Sequence, residues 1–333
     1  MRAAFFHGKD TPLALKEIEK LPNLAKDHVY IRLKNAALNH HELWMLKEQS
    51  ESMPGGVILG SDGSGIIEVA QAEEDQYLIG KGVVINPSVG WGNNPAVQAH
   101  SFSILGYPAH GTFSDYISIS KKQVFEKPEH LTFEEAAAVP LAGLTAYRAL
   151  FTKARLRKGE KVLITGIGGG VALQALQFAL AFEAKVFVTS GSQEKLEKAI
   201  AMGASGAFNY NEKDWVKKIE KEAGGFDVII DSAGGQQFGA LLEMAYPGAR
   251  VVIYGRTAGM ISNISPKTLF WKQISLFGTT MGTTDEFLSM LDFIDKHQLK
   301  PVIDAVFPLE NINDAFKKMD EGKQFGKIVL SIS

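Results

Sequence analysis

At 333 residues the chain is long for a single hydrophobic core and suits two domains. A formal net charge of -2, with 22% charged and 45% hydrophobic residues, gives no reason to expect nucleic acid or an anionic membrane as partner, and no run of about 18 apolar residues suggests a membrane span. The absence of cysteine removes disulfides and thiolate zinc ligands; the opening MRAAFFHGKDTPLAL reads as strand rather than export signal, so a cytoplasmic protein is expected.

Up to about residue 120 the chain reads as short strands: Arg2–Phe6, His28–Ala37, Gly63–Ala70, Gly82–Ile85 and Ser114–Ser120. Turn residues at Pro54-Gly55-Gly56, Ile79-Gly80-Lys81-Gly82 and Asn93-Asn94-Pro95 separate them. This predicts a β-rich, partly barrel-like domain. At Thr132 the texture changes: Thr132 and Glu135 form a capping-box pattern ahead of an Ala-rich helix, which Pro140 and Gly143 divide into two pieces. Strands then alternate with helices. The strands are Lys161–Thr165, Lys185–Thr189, Gly206–Asn209, Phe226–Ile230, Arg250–Tyr254 and Ile274–Phe277; the helices are Glu194–Met202, Asp214–Ala223, Phe238–Ala245 and Pro266–Lys272. Six strands with crossover helices predict a doubly wound parallel sheet of the α/β class. Beyond Thr284, a helix (Asp285–His297), a strand (Pro301–Phe307), a helix (Ile312–Glu321) and a strand (Lys327–Ser331) are expected to return to the first domain. The predicted domains are therefore 1–125 with 286–333, and 126–285.

The most informative stretch is KVLITGIGGGVALQALQFALA, Lys161–Ala181. A strand, a turn carrying Gly166, Gly168, Gly169 and Gly170, and a helix with apolar residues at helical spacing form the opening of a dinucleotide-binding βαβ unit. The glycines allow a tight turn and close approach of a pyrophosphate, whose charge meets the unpaired N–H groups of the helix. Ile167 stands where the first glycine of the pattern would be, and Ala172 replaces the third.

The order of these pieces resembles the medium-chain dehydrogenase/reductase family, in particular its zinc-free quinone-reductase-like branch. The matching stretches are ALNHHELW (Ala37–Trp44), GSDGSGIIEVA (Gly60–Ala70), EEAAAVPLAGLTAYRAL (Glu134–Leu150), VLITGIGGGVALQALQFA (Val162–Ala179), TSGSQEKLEKAIAMGA (Thr189–Ala204), FNY (Phe208–Tyr210) and FGKIVL (Phe325–Leu330). The resemblance implies a Rossmann domain beside a GroES-like catalytic domain, and a homodimer associating near the sixth strand.

It also implies a cofactor. The second strand ends Thr189-Ser190-Gly191-Ser192, without the carboxylate that would hold the ribose 2′-OH of NAD. Ser192, Lys195 and Tyr210 match the Ser, Lys and Tyr of NADPH-binding members, and a dianionic 2′-phosphate gains from a lysine and two hydroxyls. Ser190 and Val171 belong to the same cofactor-binding set. Toward the nicotinamide the resemblance assigns Thr145, Ser232, Tyr254, Gly255, Phe277 and Thr279, and it assigns Lys327 to the pyrophosphate.

Zinc members of the family hold their catalytic ion at positions that match Asn39, Ser61 and Leu141 here, and none of these is a good ligand. A structural zinc would need four cysteines within about Trp91–His110, where there are none. His40, His41, Glu42, Asp62, His100 and His110 match no known metal-site spacing, so no metal is expected. Without a Lewis acid, hydride transfer to a simple ketone loses its main oxyanion stabilisation, whereas a quinone or an α,β-unsaturated carbonyl spreads the charge onto an oxygen that hydrogen-bond donors can hold. The expected activity is an NADPH-dependent quinone or enone reductase acting on a small molecule. Asn39, His41 and Glu42 are its candidate catalytic residues, with His41 as donor or proton relay. Two alternatives stand beside it: an enoyl-thioester reductase, and a non-enzymatic NADPH-binding protein on a dehydrogenase scaffold.

Overall fold

The computed structural model describes residues 1–19, 25–49 and 55–333. Pro54, at the head of one expected turn, lies outside the described residues. The chain divides into two compact units, residues 1–144 with 282–333, and residues 145–281.

In chain order the first unit opens with β1 (Arg2–Phe6), β2 (Ala14–Glu17), β3 (His28–Ala37), α1 (His40–Glu48), β4 (Val57–Ile58) and β5 (Asp62–Ala70). There follow β6 (Gly82–Ile85), β7 (Ser88–Val89), β8 (Ser103–Ile104), β9 (Tyr116–Ser120), β10 (Val124–Glu126), α2 (Phe133–Ala137) and α3 (Pro140–Tyr147). The second unit contains β11 (Lys161–Ile164), α4 (Gly170–Ala181), β12 (Lys185–Ser190), α5 (Gln193–Ala201), β13 (Gly206–Asn209) and α6 (Trp215–Glu222). It continues with β14 (Phe226–Asp231), α7 (Phe238–Glu243), β15 (Ala245–Ile253), α8 (Pro266–Lys272) and β16 (Ser275–Gly278). The chain then returns to the first unit as α9 (Thr284–Lys296), β17 (Ile303–Pro308), α10 (Ile312–Asp320) and β18 (Lys327–Ser331).

The first unit is built on a seven-stranded sheet in the order β10-β6-β5-β3-β18-β17, with β9 also paired to β3, and on a three-stranded sheet β2-β1-β4. β3 alternates half-buried and buried residues until its last turn, as expected of a strand with one face on the core and one toward solvent. Its core collects Phe6, Ile31, Leu33, Ile58, Phe113 and Leu330. The C-terminal segment joins this sheet through β18, whose Val329–Ser331 pair antiparallel with Asn35–Ala37 of β3.

The second unit is a six-stranded parallel sheet in the order β13-β12-β11-β14-β15-β16. β11, β12 and β14 are buried almost throughout because helices cover both faces, which is why their sequences run apolar without alternation. The strand order reverses between β11 and β14, and the crevice outside the carboxyl ends at such a point is where doubly wound folds bind ligands. The expected class, α/β with a parallel Rossmann-type sheet and a β-rich GroES-like domain, is the one observed.

Several details differ from the sequence reading. Pro140 does start a new helix, its missing N–H costing nothing at the first helical position, but Gly143 does not end it: its N–H donates to Val139 O at 2.7 Å and the turn continues. Residues 126–144, placed in the second domain from sequence, stay with the first unit, where α2 packs on β3 and β5. The short strands β2, β4, β7, β8 and β10 were not predicted; at two to four residues they show no usable alternation. Among the described residues no helix is long and apolar enough to cross a membrane.

Candidate functional site

In the second unit Ser190, Ser232, Tyr254, Phe277 and Thr279 lie at or just beyond the carboxyl ends of the strands. Asp231, the last residue of β14, is buried; its Oδ1 accepts from Thr165 Oγ1 at 2.7 Å and its Oδ2 from Gly234 N at 2.8 Å. Burial raises the Asp231 pKa, and these two bonds work against that rise. Thr165 Oγ1 in turn accepts from Ser232 N at 3.1 Å, and Ser232 Oγ donates to Thr165 O at 3.2 Å. The two strand ends that border the switch point are thereby tied together by side chains. A cavity of about 490 Å³ opens there, lined among others by Gly166, Tyr210, Trp215, Ser232 and Thr257.

The glycine turn lies beside it. Gly166 and Gly168 have φ of 66° and 122°, so the positive backbone angles fall on glycine on either side of Ile167. Ile167 is buried and gives its N–H to Thr189 O at 2.9 Å, which explains why a large side chain stands in a glycine-rich turn: it packs inward and holds β12. Gly169 is the N-cap of α4, with no side-chain cap, and Gly170 and Val171 form the first turn. An uncapped helix N-terminus approached only by glycine is a site for a phosphate. A Cβ at Gly168 would lie 2.8 Å from Lys195 Cδ, so the lysine side chain runs directly over the turn.

Ser192 is the N-cap of α5 and accepts from Lys195 N at 3.4 Å; its own N–H donates to Ser190 Oγ at 3.1 Å. Capping uses the Ser192 oxygen as acceptor and leaves the hydroxyl proton to give. Tyr210 follows β13, with its N–H on Ser190 O at 3.2 Å and its hydroxyl 2.9 Å from where a Cβ on Gly191 would stand. Ser192 and Tyr210 are thus brought to the end of β12, with Lys195 reaching from α5 to the glycine turn.

Tyr254 follows β15, its N–H on Asp231 O at 3.1 Å; desolvation is the chief cause that raises its phenol above the ordinary value, partly offset by the hydrogen bond with Ser232. Gly255 lies so close to Ser232 that a Cβ would come within 2.5 Å of the Ser232 carbonyl oxygen. Phe277 sits half-buried in β16; Thr279, just beyond, gives its N–H to Ile253 O at 3.0 Å, while its buried Oγ1 has no partner among the described residues. Thr145 is buried on α3. An orphaned hydroxyl, an uncapped helix and a glycine turn without Cβ atoms fit a dinucleotide.

Lys327 belongs to the first unit. It is 4% exposed in the first unit, where its ammonium donates to Leu38 O at 2.7 Å, to Asp62 Oδ2 at 2.9 Å and to Asn39 Oδ1. Three acceptors take its three protons, leaving none for a pyrophosphate. Nothing in the sequence pointed to Asp62 as its partner, which lies 265 residues away in the chain.

Around Lys327 lies a buried polar cluster. Asn39 Nδ2 donates to Asp62 Oδ2 at 2.9 Å, and Asp62 Oδ1 accepts from Leu141 N at 2.8 Å. Glu42, in the first turn of α1, accepts from Asn39 N at 2.7 Å and Ser61 N at 2.9 Å, and also from Ser61 Oγ. Burial raises the Glu42 pKa, while His41 next to it and the Ser61 hydroxyl act in the opposite sense. His41 is half-buried on α1.

This donor set does not fit zinc. Of the three positions matched to metal ligands, the Asn39 oxygen faces an ammonium, the Ser61 hydroxyl is turned to Glu42, and Leu141 offers only a backbone N–H. His110 is likewise engaged, its Nδ1 accepting from Ile58 N at 3.1 Å. Among the described residues no group of three His, Cys, Asp or Glu could hold a metal ion. Sequence reasoning missed Asp62 as the centre of the cluster and Asp231 and Thr165 as the brace between the two strand ends. The polar pair in GSDGSG was the only local signal for the first.

Two family models match the chain: an alcohol dehydrogenase GroES-like domain over residues 25–129 and a zinc-binding dehydrogenase domain over residues 170–296. A zinc-type alcohol dehydrogenase-like protein of Leptosphaeria maculans is 36% identical, covering 96% of this chain and 95% of its own. A quinone oxidoreductase of Pongo abelii is 30% identical, covering 81% and 78%. A crystal structure described as an NAD-dependent alcohol dehydrogenase superposes with a TM-score of 0.92 at 33% identity, covering 100% of both chains. With its GroES-like and Rossmann-type units and these relatives, the chain belongs to the medium-chain dehydrogenase/reductase family, in its quinone-reductase-like branch, and is an oxidoreductase.

Proposed function

We propose that the protein is a zinc-independent, NADPH-dependent reductase of quinones or α,β-unsaturated carbonyls. The observation that carries this reading is the buried ammonium of Lys327, bonded to Asp62 and to Asn39, the latter one of the three positions matched to the metal ligands of zinc members. A fixed positive charge and committed donors make a poor cation site and a well-ordered hydrogen-bonding one.

For the cofactor, Lys195 over the glycine turn, the Ser192 hydroxyl and Tyr210 supply one charge and two donors to a 2′-phosphate, and β12 ends on Ser190 rather than a carboxylate. A bound reduced nicotinamide supplies hydride chemistry; one hydride and one proton convert the enone to a saturated carbonyl, or the quinone to a quinol. Asn39 retains one Nδ2 proton uncommitted among the described residues, and we assign it to the oxygen on which negative charge develops. His41, beside Glu42, is assigned the proton transfer.

A homodimer belongs to the same reading. β16 is the edge strand of the sheet, with Leu276 40% exposed, and α8 next to it in the chain exposes Phe270 and Trp271 at 67% and 78%. Sedimentation should give twice the mass of one chain, shifting to one chain for Trp271→Glu with Leu276→Glu; an unshifted mass would rule this surface out.

The test of activity is NADPH oxidation followed optically with 1,2-naphthoquinone and a short enone, set against reduction of NADP by a simple alcohol, each with and without a chelator. Turnover of the quinone or enone that resists the chelator is expected. Turnover of the alcohol pair alone, abolished by the chelator, would replace this reading with the zinc-type alcohol dehydrogenase chemistry that the name of the Leptosphaeria relative suggests.

A further inference from the structure

We infer that Lys327 and Asp62 are positioning residues that lock the Asn39 carboxamide in one orientation, so that a single N–H is left to meet the substrate oxygen. The inference rests on the reading of Asn39 as the donor. A carboxamide can present its oxygen or its nitrogen in either of two flips, and nothing in Asn39 itself selects between them. Here both ends are specified by charge. The oxygen faces the Lys327 ammonium, and the nitrogen faces Asp62 Oδ2 at 2.9 Å. The opposite flip would set an NH₂ group against an ammonium and a carbonyl oxygen against a carboxylate, losing two charge-assisted bonds and placing like poles together.

Local structure supports the same reading. Asn39 is the N-cap of α1, a position at which asparagine ordinarily turns its side-chain oxygen to the first helical N–H groups. Asn39 forms a capping box with Glu42 here, its side chain turned to the backbone of the third helical residue. Glu42 completes the box, its carboxylate accepting the Asn39 N–H at 2.7 Å.

The pair is itself held from outside. Leu38 O at 2.7 Å completes the coordination of Lys327, and Leu141 N at 2.8 Å takes the other oxygen of Asp62. Both residues are almost fully buried, at 4% and 0% exposure, so water does not compete for the amide. Lys327 comes from β18, Asp62 from β5 and Asn39 from the end of β3, so the orientation is imposed by three strands of one sheet. A pre-oriented donor needs no reorganisation when charge appears on the acceptor, which is the condition under which such donors accelerate a reaction.

The experiment uses the full chain, NADPH and 1,2-naphthoquinone. Replacing the ion pair by neutral groups of similar volume, Lys327→Met with Asp62→Asn, is expected to lower kcat about 10- to 100-fold. KM and the NADPH Kd, read by fluorescence titration, should stay within about threefold, a split that general loosening of the fold would not produce. Lys327→Arg, which keeps the positive charge and supplies N–H donors, should recover part of kcat. A folded double variant with wild-type kcat would overturn the inference. Asn39→Ala separates it from the reading beneath: if that variant keeps wild-type kcat, Asn39 is not the donor; if Asn39→Ala is slow and the double variant is fast, the positioning role alone fails. Should the double variant not fold, the wild-type protein decides. With asparagine labelled by ¹⁵N, the Asn39 side-chain amide must show one proton protected from solvent exchange and one that exchanges and shifts on adding the quinol product; two protons exchanging alike would reject the lock.

Discussion

The two polar groups of this molecule are built on opposite plans. In the first unit, Asn39, Glu42, Ser61, Asp62 and Lys327 are buried and bonded to one another, with nearly every donor matched to an acceptor. In the second unit, the glycine turn, Ser192, Tyr210, Ser232 and Thr279 border a cavity or a strand end, with α4 uncapped and the Thr279 hydroxyl unpaired among the described residues. A closed cluster orients one group and holds it. An open rim leaves donors available for a ligand that brings its own acceptors. The contrast shows where each unit is sensitive: the first in its stability and in turnover, the second in ligand affinity.

Breaking the closed cluster should have the largest effect. Lys327→Met alone leaves Asp62 as a buried carboxylate without its cation, and a loss of about 3–5 kcal/mol is expected in urea unfolding. On the open rim, Lys195→Ala should weaken NADPH about 10- to 100-fold by calorimetry and leave NADH within about twofold, since only NADPH carries the 2′-phosphate. Equal losses for both cofactors would move Lys195 to the pyrophosphate. Gly166→Ala is intermediate: a Cβ at φ 66° would meet Ser232 Oγ at 2.6 Å, and about 1–2 kcal/mol of stability should go together with dinucleotide affinity.

The contrast is sharpest at Thr279. Thr279→Val removes a buried hydroxyl that bonds nothing among the described residues, so thermal stability should hold or rise slightly while dinucleotide affinity falls a few-fold. A drop in stability would show that the hydroxyl already serves the fold. The smallest effect concerns pH. Burial keeps Glu42 protonated to higher pH in the folded chain than in the unfolded one, so between the unfolded and the raised folded pKa the native state binds more protons and its stability falls as pH rises. Glu42→Gln should flatten that part of the stability–pH curve; an unchanged slope would assign it to other groups.

The second unit was largely legible in the sequence, because its signals are local. An apolar strand, a glycine turn and a helix follow one another within Lys161–Ala181, and Ser192 and Lys195 lie within one turn of α5. The positive φ angles fall on Gly166 and Gly168, residues that only a turn of this kind requires. Even Ile167, which broke the pattern, is explained by neighbours close in the fold rather than by a different motif.

The first unit was legible only as a set of strands. Composition and order gave its class, and the identities of Asn39, Ser61 and Leu141 already argued against metal ligation. What no local reading could supply is that residues 39, 62 and 327 meet. That depends on β18 returning to pair with β3, and on the low dielectric of the sheet interior, which turns three scattered polar residues into one bonded cluster. Lys327, read along the chain, is a basic residue suited to a phosphate; in the fold its ammonium is enclosed by Leu38, Asn39 and Asp62. Sequence determined the glycine turn and helix ends of the second unit, because these are made by neighbours in the chain. Tertiary structure decided how the first unit is arranged, because charge is paired across whatever distance the fold closes.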